Sequence, residues 1–255
     1  MSAPSRYLLA NWKMHKGQDQ AAAWGRAVAQ ALEPVPDLHV VAMPPFTALA
    51  ALAAVCGRAL HLGAQDVYPA AAGAFTGAIG TDQLRDVGVE YVLCGHSERR
   101  RLMGEDDGLV ARKVQAILDA GMTPVVCVGE DAEERENGHA DHVVRRQVAQ
   151  AVEGLAAGAL GRIVWAYEPV WAIGSGHPAT PEQASEAAAI LRSALRSRFG
   201  AQTDGQPVAV LYGGSVDAGN VAAYAGADGL DGALVGGASL DAGAFVRLVR
   251  SVASL

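Results

Sequence analysis

Lysine is scarce in this chain of 255 residues: only Lys13, Lys16 and Lys113 appear among its 20 Lys and Arg residues. The Arg-, Ala- and Gly-heavy usage reads as a compositional bias. A lysine just past an apolar run is therefore more informative than usual. Positive charge is lacking overall as well. The net charge of −7 provides no basic field for nucleic acid, so an anionic substrate must be drawn by a few local groups. Cysteine is rare and odd in number. Cys94 and Cys127 end apolar runs and read as small buried thiols of a reducing compartment, not as a disulfide framework. No signal-peptide core is legible in the first twenty residues, where Arg6, Asn11 and Lys13 interrupt the apolar character. The most apolar stretch, 40–56, is broken by Pro44-Pro45, which argues against a membrane span. These absences predict a cytoplasmic protein. No linker, low-complexity stretch or charge block appears, so 1–255 is expected to be one domain.

What is present is a steady alternation. Apolar, mostly β-branched runs recur at 6–10, 39–42, 60–64, 91–94, 124–128, 163–167, 208–211 and 232–235. None alternates cleanly between polar and apolar, as expected of parallel strands buried on both faces. Helical periodicity fills the intervals, most clearly at 18–32, 47–56, 108–120, 141–155, 182–199 and 242–252 and less so at 81–87 and 216–225. Thr180-Pro181-Glu182-Gln183 reads as a capped helix start, and Gly121 and Gly226 as left-handed helix ends. Eight strand–helix repeats fit a closed (β/α)8 TIM barrel in the α/β class. A doubly wound open sheet is the rival. Its glycine fingerprint is missing after the first strand, where Asn11-Trp12-Lys13-Met14 stands instead. The order of the strands is not legible.

Barrel chemistry gathers where strands end. Asn11 and Lys13 follow the first run, His96 the fourth and Glu168 the sixth, with Gly213-Gly214-Ser215 after the seventh and Gly236-Gly237 after the eighth. Glu168, followed by Pro169-Val170-Trp171, is the candidate base. An apolar mouth should favour its protonated form and strengthen it as a base when ionised. His96 precedes Ser97-Glu98-Arg99-Arg100, which is fit to open a short helix. A helix N-terminus disfavours imidazolium and predicts a neutral ring able to donate to a carbonyl. Lys13 supplies fixed positive charge and Asn11 a neutral donor. The glycine pairs stand where barrels bind phosphate on backbone N–H groups. The small, apolar stretch 169–179 is suited to closing over a site.

Six segments in order resemble triosephosphate isomerase: Asn11-Trp12-Lys13-Met14, Gly73-Ala74-Phe75-Thr76-Gly77, Gly95-His96-Ser97-Glu98-Arg99-Arg100, Tyr167-Glu168-Pro169-Val170-Trp171-Ala172-Ile173-Gly174, Tyr212-Gly213-Gly214-Ser215-Val216 and Leu234-Val235-Gly236-Gly237-Ala238-Ser239-Leu240. The resemblance implies roles known for that family rather than read from this chain. Dihydroxyacetone phosphate and D-glyceraldehyde 3-phosphate would interconvert through an enediolate, in glycolysis and gluconeogenesis, without cofactor or metal. Glu168 would carry the proton, His96 would polarise the carbonyl, and Lys13 and Asn11 would bind substrate. Backbone N–H groups at Gly174, Ser215, Gly236 and Gly237 would hold phosphate, under a lid at 169–179, with Glu98 in support. An isomerase of a four-carbon sugar phosphate is the alternative. The resemblance also implies a homodimer that docks the loop around Phe75, with no nucleic-acid or membrane partner. Ala78 stands where relatives carry a glutamate that pairs with the arginine matching Arg99, so Arg99 is expected to find another partner. Asp66 stands in place of a usual asparagine, His15 of another, and His177 of a lysine. Pro178 predicts a stiff far hinge for the lid.

Overall fold

The structure is a computed structural model describing residues 5–174 and 178–255. Among the described residues, eight parallel strands close a barrel in simple chain order. They are β1 (Arg6–Asn11), β2 (Leu38–Met43), β3 (His61–Ala64), β4 (Tyr91–Cys94), β5 (Thr123–Val128), β6 (Val164–Tyr167), β7 (Ala209–Tyr212) and β8 (Gly232–Val235). The helices on the outside are α1 (Gln18–Ala31), α2 (Leu49–Ala53), α3 (Thr81–Val87), α4 (Ser97–Met103), α5 (Asp107–Asp119), α6 (Ala132–Glu136), α7 (Ala140–Ala151), α8 (Pro181–Phe199), α9 (Val221–Ala225) and α10 (Ala242–Ala253).

Strand periodicity divides the core. Leu9, Val41, Leu93, Val125, Val164, Leu211 and Leu234 point inward and fill the barrel, while Leu8, Ala10, Val40, Val92, Val126 and Val210 face the helices. Both faces of each strand are therefore dry, which explains why no alternation was visible in the sequence. Register pairs Asn11 with Met43 and Tyr167 with Tyr212, so the turns that follow the strands form one rim.

The predicted helix start at residue 180 is present. The Thr180 hydroxyl accepts from the Gln183 N–H at 3.2 Å, and Gln183 Oε1 accepts from the Thr180 N–H at 2.9 Å. Gly121 is left-handed (φ +79°). Gly226 is not: at φ −100° it remains right-handed after a helix of one turn, and the chain turns at Gly229 (φ +74°) instead. The helix expected over 216–225 forms only at Val221–Ala225. Asp217 and Asn220 compete for its backbone. Asp217 Oδ1 accepts from the N–H of Gly219 at 2.7 Å and Asn220 Oδ1 from that of Asp217 at 2.9 Å. The helix expected over 47–56 is a 3-10 turn at Phe46–Ala48 followed by α2. Helix α6 was not predicted, although Asp131 and Glu134 form a reciprocal capping box at its start.

Candidate active site

β1 carries buried Asn11 to the rim and Lys13 just beyond it. Lys13 adopts a left-handed backbone (φ 51°), costly for a residue with a Cβ. The turn is held by Asn11 Oδ1, which accepts from the Lys13 N–H at 3.0 Å, and by Gln65 Nε2, which donates to the carbonyls of Lys13 and Met43 at 2.8 Å each. Lys13 Nζ lies 2.5 Å from Glu98 Oε1, which fixes the direction of a long side chain.

β4 ends at left-handed Gly95 (φ +73°), after which His96 caps α4. The first turn of this helix supplies the Glu98 N–H to His96 Nδ1 at 3.2 Å. Nδ1 is thus an acceptor and the ring proton is assigned to Nε2, which faces Glu168 Oε1 at 3.0 Å. The other carboxylate oxygen of Glu168 accepts from the Ser97 N–H at 2.8 Å. Glu168 itself is 2% exposed. Its backbone is pressed against Gly129, where a Cβ would lie 1.8 Å from the Glu168 carbonyl oxygen.

These contacts correct one expectation and qualify another. Burial pushes the Glu168 carboxyl up, but the His96 ring and the Ser97 N–H more than reverse this and hold it below the usual carboxylate range. The apolar mouth alone had predicted a raised value. For His96, burial pushes the imidazole down, but the Glu168 carboxylate against Nε2 outweighs it and the net shift is upward. The helix N–H on Nδ1 is where the sequence placed it. The carboxylate at the other nitrogen could not be foreseen.

Asn11, Lys13, His96 and Glu168 line a cavity of about 420 Å³ together with Gly174, Gly213, Gly214, Ser215, Gly236 and Gly237. Every site residue predicted from the sequence therefore faces the same space. No described residue accepts a hydrogen bond from the backbone N–H of Ser215, Gly236 or Gly237. Backbone N–H groups without partners are suited to holding an anion. The Ser215 hydroxyl donates to the Ala172 carbonyl at 3.1 Å, tying this turn to the start of the predicted lid. Of that lid, Ser175, Gly176 and His177 lie outside the described residues; Pro178 lines the cavity.

The model of the triosephosphate isomerase family matches residues 6–252. The chain belongs to the triosephosphate isomerase family. Among its relatives, the triosephosphate isomerase of Syntrophotalea carbinolica is 45% identical over 96% of this chain and 97% of its own length. Those of Roseiflexus castenholzii (46% identical, 95% of this chain and 96% of the relative) and Chloroflexus aurantiacus (43%, 94% and 96%) match similarly.

Sequence reasoning missed the residues by which this family member braces its site. Glu105, 3% exposed, accepts from the Gly95 N–H at 2.8 Å and so holds the turn that presents His96. Its other oxygen meets Arg99 Nε at 2.8 Å and Lys113 Nζ at 2.7 Å. Asp66 closes the network at 2.8 Å from Arg99 and 2.6 Å from Lys113. Arg99 thus has the alternative partner expected of it. A carboxylate at position 66 is also accounted for, by two cations. The buried Lys113 was the one available signal, in a chain with so few lysines.

Proposed function

We propose that this chain interconverts dihydroxyacetone phosphate and D-glyceraldehyde 3-phosphate, with Glu168, His96 and Lys13 as its catalytic residues. One observation carries the assignment: a carboxylate, an imidazole whose proton is assigned to the nitrogen facing Glu168, and an ammonium line one cavity together with backbone N–H groups that no described residue engages. A three-carbon phosphate laid along it puts its phosphate on Ser215, Gly236 and Gly237, with Gly174 closing from the lid, and its carbonyl beside His96, Asn11 and Lys13. Glu168 leaves Ser97 and His96, takes a proton from the carbon next to the carbonyl and returns it to the former carbonyl carbon. His96 Nε2 gives its proton to the carbonyl oxygen as charge grows there and regains one from the hydroxyl on the adjacent carbon, which becomes the new carbonyl, and Lys13 steadies the charge. Once the substrate separates Glu168 from its partners, burial raises its basicity, so the same residue is held ionised while waiting and becomes a strong base when engaged. The change is redox-neutral within the substrate, and these side chains suffice for it. A coupled assay on the purified protein tests the reading. Turnover of the triose phosphate is expected, and preference for a four-carbon ketose phosphate would overturn it.

We further infer a cytoplasmic homodimer. Met14, Leu102 and Met103 are exposed beside a groove of about 560 Å³ whose lining includes Phe46, Gln65, Lys13 and His96. The loop preceding α3 carries Phe75, tilted against Tyr68 with ring centroids 4.3 Å apart and 43% exposed. Such a tip matches the groove of a second copy and would brace the turn of Lys13 from outside. Sedimentation at micromolar concentration is expected to show a dimer; a clean monomer would refute it. No described helix is long and apolar enough to cross a membrane.

A further inference from the structure

Asp217 lines the same cavity as Glu168 and Lys13 and takes no part in the proton transfers. It stands two residues after Ser215, on the turn that follows β7, and it is exposed. Its carboxylate is held in place. Oδ1 accepts from the Gly219 N–H at 2.7 Å and from the Asn220 N–H at 3.2 Å. Asn220 returns the tie: its Oδ1 accepts from the Asp217 N–H at 2.9 Å, and its Nδ2 donates to the Ser215 carbonyl at 3.2 Å. An asparagine at 217 would close the same turn, because its side-chain oxygen accepts the same bonds. The turn therefore accounts for the oxygen of Asp217 but not for its charge, and the charge opposes an anion. Among the described residues lining the cavity, Lys13 is the one lysine or arginine, and it is already paired with Glu98 at 2.5 Å. An entering phosphate thus meets two carboxylates and a single ammonium that is partly neutralised. Glu168 is needed as the base. Asp217 is not.

We propose that Asp217 is a specificity-determining residue: its carboxylate repels anions from the phosphate turn and so selects a single phosphate monoester over more highly charged phosphates. Discrimination of this kind needs a repulsive group as well as attractive ones. The phosphate keeps its charge throughout the isomerisation, so the repulsion acts on bound substrate, transition state and bound product alike. Affinity falls, product leaves sooner, and the chemical step is untouched. The proposal rests on the isomerase reading above, and the two can fail separately.

The experiment uses the full chain with Asp217→Asn, which keeps the turn and removes the charge, beside Asn220→Ala, which keeps the charge and loosens the turn. Calorimetric titration with phosphoglycolate needs no turnover. At low salt, Asp217→Asn should bind it about two- to fivefold more tightly than the wild type does, the range of one solvent-exposed charge. The gain should vanish in about 1 M potassium chloride, where the screening length is about 3 Å. In competition with phosphoglycolate, pyrophosphate should gain more than inorganic phosphate. In the isomerase assay, KM for dihydroxyacetone phosphate should fall by the same factor while kcat changes less. Unchanged affinities in Asp217→Asn would overturn the proposal, as would a gain indifferent to salt or equal for the two phosphates. So would equal tightening by Asn220→Ala, since the turn and not the charge would then be responsible. If the wild type does not isomerise the triose phosphate, the functional reading falls, and the titration still decides Asp217. A wild type that binds no phosphoglycolate would overturn both.

Discussion

The two rims of the barrel carry the same chemical groups and do different things with them. At the rim where strands end, His96 meets Glu168 at 3.0 Å beside a cavity lined by glycine turns. At the rim where strands begin, His39 stacks on Tyr7 at 4.7 Å, lies 5.6 Å from the His61 ring and is 2.9 Å from the Tyr91 hydroxyl, while His61 meets Glu90 at 3.0 Å. There is no glycine pair to leave room, and the rings plug the barrel. Imidazoles and carboxylates alone therefore do not make a site. The space kept free beside them does, together with donors left without partners.

Three experiments would break or sharpen that contrast. The largest effect is expected for Glu168→Gln, which retains the Ser97 contact but cannot take a proton. Its kcat should drop by roughly 10²–10⁴-fold in the coupled assay, and retention of most activity would remove the base from the mechanism. Next is Tyr91→Ala at the lower rim, which empties a buried ring position. It should cost about 3 kcal/mol in urea unfolding while kcat of the folded enzyme is unchanged. A comparable loss of kcat would mean that the two rims are not independent.

The smallest effect is a matter of sign. Burial and the neighbouring His61 hold His39 below its ordinary pKa, against the pull of Glu90 and Asp37. His61 is raised by its hydrogen bond to Glu90. His61 thus contributes stability that is full below about pH 6.5 and is lost as pH rises through its raised value. His39 costs stability as pH falls below about 6.5, because the unfolded chain takes up the proton first. In pH-dependent urea melts, His61→Gln should steepen the loss of stability on acidification and His39→Gln should flatten it. Shifts in the same direction would show that the pair does not titrate as two opposed groups.

Much of this was legible in the sequence, and the reasons are local. Strand and helix alternation survives because each strand is dry on both faces. The positions of Asn11, Lys13, His96, Glu168 and the glycine turns follow from where apolar runs stop. What could not be read was pairing across the barrel: Glu168 against His96 and Ser97, Glu105 on the Gly95 N–H, and Tyr224 on Ala179. Two of these join residues more than forty positions apart and the third spans a whole helix, so no local pattern encodes them. Helix ends failed where side chains such as Asp217 and Asn220 took over backbone hydrogen bonds.

Arg99 has a consequence for assembly. Its guanidinium is already neutralised within its own chain, by Asp66 and Glu105. Two copies meeting through Phe75 and the groove beside Met14 would then need no ionic bond between them. Contact of that kind gains from the withdrawal of apolar surface and gives ions in solution little to screen. A dimer so formed should be indifferent to ionic strength, or be tightened by sulfate, where an enzyme held by bonds between charged residues of its two subunits would loosen.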